Sequence, residues 1–342
     1  MDAPASDAEE AGESDDKPDT EWDEDHGNHQ VGDLRCLPAD NALSNHWLTH
    51  LPMRDDCPAC QRAKMKQQQR RRVTNQSTNK LPSIPVTKFG DLVTMDHSTA
   101  SNDESVEGDN YGLLMADKKT EFLALYPCVE KNAREVQWCL RDFEGPKDHI
   151  NLVYSDNAPE FVNAVKNQDK LHETSTPHKS ETNGKIERKH RLVHEGTRTI
   201  LEQSGLTKRW WSYAGKHYVM MLNVLLKDGT SAWYERHHQH FTGKLIPFGA
   251  LVDFRPPKTI LKTLGKHEAQ SIRGLFLGYH LHPGARWRGE YVIAPLIDFD
   301  KANKRLRIRI CRVHEVYPDI ERPWLFPVRR ARDKIFADIT VD

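Results

Sequence analysis

The chain has 342 residues, with 49 Lys and Arg against 50 Asp and Glu, 37% apolar side chains and six cysteines. That length supplies two or three domains, while the low apolar share predicts a portion without a core of its own. The acidic start excludes a secretory n-region, no apolar run approaches the roughly 20 residues that a bilayer span needs, and six cysteines are too sparse for a disulfide scaffold, so the expectation is a soluble intracellular protein with no membrane partner.

Residues 1–30 read as a disordered acidic tail, with twelve Asp or Glu and only Lys17 as a cation in the first 26. Behind it, residues 27–342 hold 48 Lys and Arg against 38 Asp and Glu, a basic excess that favours phosphate-bearing partners. Residues 31–63 form a His and Cys module. His46 and His50 are four apart, on one helical face, and Cys57-Pro58-Ala59-Cys60 supplies a CxxC. Two His and two Cys make a closed structural zinc site. Because only six residues separate His50 from Cys57, Cys36, His26 and His29 stay open as substitute ligands, and a truncated module without metal is the alternative. Residues 64–85 have the composition of a basic linker, and Arg70, Arg71 and Arg72 in it fit a nucleic-acid contact or a nuclear import signal.

From residue 86 the chain reads as folded. "DLVTMD" (91–96), "YGLLMAD" (111–117) and "FLALYPCV" (122–129) are three short strands. "NAREVQWCLRDF" (132–143) has helical spacing, with Asn132 as its cap. A fourth strand around Leu152 and Val153 ends at Asp156. From Asn183 to Gly205, Ile186, Val193 and Ile200 recur every seven residues and predict a helix with one buried stripe, and a second helix spans about 208–226. This order indicates a mixed α/β layer domain over 86–228. Short runs between Gly and Pro then predict a small β-rich domain over 229–320, leaving 321–342 as a tail. "RHHQH" (236–240) reads as surface, and Cys128, Cys139 and Cys311 as small core residues.

Asp96 and Asp156 each close a strand in this reading, and Glu187 sits one turn into the long helix. If the two strands are neighbours, the three carboxylates converge. Gathered carboxylates repel one another unless a cation neutralises them. Mg²⁺ or Mn²⁺ suits such oxygen ligands, and two such ions serve in-line displacement at phosphorus.

The words around these acids, "VTMDH", "YSDNAPEF" and "ETNGKIERKHR", resemble the catalytic core of retroviral and retrotransposon integrases, most closely the copia-type elements. The resemblance extends through "AWYERHHQHFTGKLIPFGALVDF" (232–254) and "RGLFLGYH" (273–280) and covers about residues 46–320. It implies a ribonuclease H-like fold, a metal-binding catalytic triad of Asp96, Asp156 and Glu187 holding two Mg²⁺ or Mn²⁺ ions, and a His-His-Cys-Cys zinc module ahead of the core. The implied activity is a polynucleotidyl transferase that trims DNA 3′ ends and joins them to target DNA, in the nucleus, as a homo-oligomer on element DNA ends. Two positions depart from the family. Thirty residues separate Asp156 from Glu187 where about 35 are usual, and Ala158 replaces a Gly, which would strain a turn of positive φ.

DNA-contacting candidates are Arg188, Lys189, Arg191 and Arg198 on the Glu187 helix, where residues 187, 191, 194 and 198 share a face. Arg305, Arg307 and Arg309 alternate with apolar residues in "KRLRIRICR", as on one face of a strand, where they serve either DNA or a charged protective edge. Two other functions compete: an inactive, element-derived DNA-binding module, and a ribonuclease H-type nuclease acting on hybrids.

Overall fold

The computed structural model describes residues 46–64, 85–100, 103–174, 183–261, 267–300, 308–318 and 324–339. The acidic tail, Arg70, Arg71 and Arg72, the substitute ligands His26, His29 and Cys36, and Arg305 and Arg307 lie outside the described residues.

Among the described residues, ten strands form two sheets. The first contains β1 (Val93–Thr99), β2 (Tyr111–Asp117), β3 (Leu123–Cys128), β4 (Leu152–Ser155) and β5 (Leu171–Thr174) in the order β3-β2-β1-β4-β5. β1, β2 and β3 are antiparallel neighbours, whereas β4 runs parallel to β1 and β5 parallel to β4. β1 continues past Asp96, where the sequence reading ended it. His97, Ser98 and Thr99 are polar, yet they pair with Leu113, Gly112 and Tyr111, so cross-strand pairing overrides their weak apolar signal.

Both faces of this sheet are covered, which explains why β2 is apolar without alternation. Leu113 and Met115 point to one side, against α2 (Ala133–Glu144) and α3 (Pro159–Lys166) through Val136, Leu140, Phe143, Phe161 and Val165. Leu114 and Ala116 point to the other, against Ile186 and Val193 of α4 (Asn183–Ser204) and Val219 of α5 (Trp211–Val224). Ile186, Val193 and Ile200 are all buried, as the heptad stripe predicts. A mixed five-stranded sheet of this order, flanked by helices, is the ribonuclease H-like fold that the acidic motifs imply. Asn132 caps α2 by accepting a hydrogen bond from the Glu135 N–H at 2.8 Å.

The second sheet is antiparallel throughout: β6 (Leu251–Phe254), β7 (Ile272–His282), β8 (Arg286–Pro295), β9 (Cys311–Val313) and β10 (Val316–Pro318), ordered β10-β6-β7-β8-β9. Leu275, Leu277, Val292 and Ala294 turn one face onto Ile200, Trp210, Ala214 and Tyr218 of the α4 and α5 region, while Phe254, Phe276 and Ile293 line the other. The two sheets therefore share the α4–α5 pair as a common wall.

Three outer helices complete the described chain around this frame: α1 (Pro58–Ala63) in the His and Cys module, α6 (Ala232–His237), and α9 (Pro327–Ile339). Short helices α7 (Lys258–Leu261) and α8 (Ile297–Asp300) interrupt the second sheet's connections. The segment read as a C-terminal tail thus contains a 13-residue helix. The "RHHQH" word is not all surface either. Arg236 is buried, its guanidinium 3.8 Å from the Phe89 ring centroid and 3.2 Å from Asp148, because α6 turns it inward. Among the described residues no helix is long and apolar enough to cross a membrane.

Candidate active site and metal centres

The parallel β1–β4 pairing sets Val93 beside Val153 and Thr94 beside Tyr154. Carried two residues further, that register brings Asp96 level with Asp156, immediately beyond the end of β4. Neighbouring strands lie about 4.8 Å apart, so the backbone fixes this pair of acids before any side chain turns. The fold also explains why Asp156 is available. Its Oδ1 accepts one hydrogen bond from the Ala158 N–H at 3.2 Å, inside its own turn. Asp117, at the opposite end of the sheet, is the contrast. Its carboxylate accepts from the N–H groups of Gly90, Lys119 and Thr120 and from the Thr120 hydroxyl, which marks a structural acid with its lone pairs used.

Glu187 arrives on α4, exposed, in the second turn of that helix. The same stretch of α4 crosses β1, since His190 Nε2 lies 3.5 Å from Asp96 Oδ2. The acids sense one another. Burial, then the charge of Asp156, then that of Glu187, push the Asp96 carboxyl up to about 6. Burial lowers His190 to about 4, so at neutral pH it stands beside Asp96 as a neutral imidazole. Among the described residues the three carboxylates are not a group whose oxygens all lie within 4.8 Å of one another.

Histidines that the sequence reading passed over lie beside these acids: His190 near Asp96, His97 next to it in the chain, and His172 against Ser155. His97 stacks on Phe161 with ring centroids 4.8 Å apart, and both its nitrogens are buried without a hydrogen-bond partner among the described residues. His172 on β5 lies 2.8 Å from the Ser155 hydroxyl, which also donates to the Asp156 carbonyl at 2.7 Å. His97 directly follows Asp96 in a quoted word, but nothing in its spacing indicated that its ring nitrogens are buried. Ala158 has φ −66° and ψ 137°, an extended N-cap to α3, so its replacement of Gly causes no strain.

On α4, Arg191, His194 and Arg198 are exposed on the same side as Glu187, and Arg188 and Lys189 are half-buried. Lys189 is ion-paired with Glu121. Arg309 is not on a strand. It precedes β9 and is held in a two-pronged ion pair with Asp298, at 2.7 and 2.8 Å.

The four ligands of the His and Cys module do meet. His46, His50, Cys57 and Cys60 are all buried, and one ligand atom from each lies within 4.8 Å of the others. His46 Nε2 and His50 Nδ1 are 3.2 Å apart, and the Cys60 sulfur lies 3.6 and 3.5 Å from these two nitrogens. Cys57 Sγ is 3.5 Å from His50 Nδ1. A tetrahedron with zinc–nitrogen bonds near 2.0–2.1 Å and zinc–sulfur bonds near 2.3 Å has edges of about 3.3–3.8 Å, so the donor set fits a zinc ion. Burial holds His46 near 4 and His50 near 3, which keeps both imidazoles neutral as metal binding requires. The short spacing is made possible by His50 itself, which takes a left-handed φ of 57° directly after a single helical turn over 46–49.

No family model matches the chain. Two Arabidopsis thaliana proteins are similar in sequence: the retrovirus-related Pol polyprotein from transposon RE2, 32% identical over 129 residues (35% of this chain), and that from transposon RE1, 33% identical over 127 residues (34%). The chain spans 9% and 8% of the length of these curated relatives. Among solved structures, the catalytic core domain of BIV integrase has a TM-score of 0.33 at 18% identity, covering 42% of this chain and 91% of that one. The simian T-cell lymphotropic virus intasome in complex with PP2A regulatory subunit B56 gamma has a TM-score of 0.35 at 12% identity, covering 68% and 82%. With its ribonuclease H-like sheet and its sequence similarity to retrotransposon Pol polyproteins, the chain is integrase-like, as its three acidic motifs lead one to expect.

Proposed function

We propose that this chain is an integrase-type polynucleotidyl transferase, acting on retrotransposon DNA ends and on target DNA, with Asp96, Asp156 and Glu187 as its catalytic metal ligands. The observation that carries the reading is the β1–β4 register, which sets two sparsely hydrogen-bonded aspartates side by side at one sheet end, under a helix that brings a third acid. The donor set is all carboxylate, which suits Mg²⁺ or Mn²⁺. Bound there, two such ions would supply an activated attacking oxygen and charge neutralisation at the leaving oxygen.

The chain's own residues do the positioning. β1 and β4 hold the two aspartates rigidly, so no side-chain search precedes each turnover. Neutral His190 stands against Asp96 without adding a charge of its own. Arg191 and Arg198 extend along α4 from Glu187, where a phosphate backbone leaving the site would run; Arg188 and Lys189 flank that line. In this reading Arg305 and Arg307 add contacts from the second domain. Arg309 would first have to leave Asp298. His46, His50, Cys57 and Cys60 hold a structural zinc ion within the module of residues 31–63, followed by the catalytic domain of 86–228 and the β-rich domain of 229–320. Assembly on paired DNA ends as a homo-oligomer in the nucleus belongs to the same proposal.

The test is strand joining on oligonucleotide ends with Mg²⁺ or Mn²⁺, comparing the parent chain with Asp156→Asn. Product should fall by at least about 100-fold. Equal product from both refutes the assignment, and salt-sensitive DNA binding without any product identifies an inactive binding module.

A further inference from the structure

On the β7–β8 hairpin, far along the chain from both centres described above, His280, His282 and Glu290 each bring one ligand atom within 4.8 Å of the others. His282 Nε2 lies 3.0 Å and His280 Nε2 4.0 Å from the same Glu290 oxygen, Oε2. A β-bulge produces this convergence. Tyr279 pairs with Tyr291 and Leu281 with Trp287, so the single residue His280 stands opposite three, Arg288, Gly289 and Glu290. Gly289 takes a φ of +84°, which side-chain-bearing residues rarely adopt, and its carbonyl lies 3.1 Å from His314 Nδ1 on the β9 side. Bulges re-aim side chains, and this one turns Glu290 toward the two imidazoles.

We propose that His280, His282 and Glu290 form a further metal site, for a first-row divalent cation of the Zn²⁺, Co²⁺ or Ni²⁺ class. Two imidazoles and one carboxylate favour such ions over Mg²⁺ or Ca²⁺, which take oxygen ligands, and three protein ligands leave coordination positions open. Each of the three side chains is about a quarter exposed, so an ion can enter from solvent. Arg312 defines the competition. Its Nη1 lies 3.3 Å from His280 Nε2, and because a guanidinium only donates, that nitrogen must be an unprotonated acceptor. Arg312 therefore occupies the lone pair that a cation takes, and it is an exposed side chain free to swing away. The site stands independently of the catalytic reading, since it shares no residue with it.

The experiment uses the full chain, stripped with chelator and titrated with Co²⁺ in excess Mg²⁺, which keeps the carboxylate site from taking up cobalt. The His-His-Cys-Cys centre reports itself through thiolate-to-cobalt absorption; the hairpin centre, having no sulfur, does not. Expected are two tight equivalents in the parent, only one of them with the thiolate band. His282→Ala, and the near-isosteric Glu290→Gln, should lose the silent equivalent and keep the band and the melting temperature. Arg312→Ala should tighten the silent equivalent about tenfold by removing the competitor. A cobalt count and affinity unchanged in His282→Ala and Glu290→Gln, or no tightening in Arg312→Ala, overturns the site.

Discussion

Asp96 illustrates how one carboxyl ties the fold to the proposed chemistry. Held near 6 by burial and by the charges of Asp156 and Glu187, it binds its proton more tightly in the folded chain than in the unfolded one, where 3.8 is ordinary. Stability is therefore present in full below about pH 4 and is lost as pH rises through about 4 to 6. The full shift would be worth about 3 kcal/mol, and the carboxyl's partial exposure reduces this to about 2 kcal/mol. Asp96→Asn should accordingly stabilise the protein by about 2 kcal/mol near pH 7 and by almost nothing near pH 4, measured by urea unfolding at the two values. Added Mg²⁺ should raise the parent's midpoint but not the variant's, because the ion takes over the role of the lost proton. At this scale the acids were legible because each sits in a short word of its own: "VTMDH", "YSDNAPEF", "NGKIERKH". The histidines beside them were not. His97, His172 and His190 acquire their place from strands and a helix far apart in the chain, and a lone His carries no periodic signal.

α4 and α5 were legible as elements because burial repeats along them. Ile186, Val193 and Ile200 mark the seam of α4 in the sequence and face the core in the structure. What the stripe could not reveal is how close the helices come. Gly196 of α4 is packed so tightly that a Cβ placed there would lie 1.9 Å from Cζ of the Tyr218 ring on α5. Tyr218 is itself fully buried and cannot step aside. Gly196→Ala, which would favour the helix in isolation, should instead destabilise the protein by about 3 kcal/mol through overpacking, seen as a lower urea midpoint with an unchanged slope. Elsewhere the limits of the elements escaped the sequence. β1 runs three residues beyond its apolar signal because β2 is there to pair with it, and α9, basic and marked only by Pro327, becomes a helix where α4 gives it a seat, its Arg329 backbone lying against Gly205.

Across the whole molecule, one side chain gathers three distant segments. Glu202, near the end of α4, accepts from Arg62 of the His and Cys module at 2.7 Å and from Arg332 of α9 at 3.0 Å. Burial would raise its pKa, but the hydrogen bonds from these two arginines prevail and hold it below the ordinary carboxylate range. The bridge thus exists above the ordinary carboxylate pKa and fades as acid protonates Glu202. Glu202→Gln should expose residues 46–64 and 327–339 to protease together at neutral pH while the β1–β4 amides keep their hydrogen-exchange protection; cleavage in one segment alone would show that they are not joined through this residue. The individual members were visible in the sequence as ordinary charges. Their meeting was not, since 130 and 140 residues separate the partners.

That seating of the His and Cys module also imposes an order of assembly. Gln203 of α4 donates to the Trp47 carbonyl at 3.1 Å, and the Trp47 ring lies 6.0 Å from that of Phe326. Residues 46–64 have only Cys57, Ala59 and Cys60 as a cluster of their own, too little to fold unaided. During synthesis these residues emerge before the surface they lean on, which is made more than a hundred residues later. Until then the proposed zinc ion, bound by His46, His50, Cys57 and Cys60, would be what keeps that segment in shape.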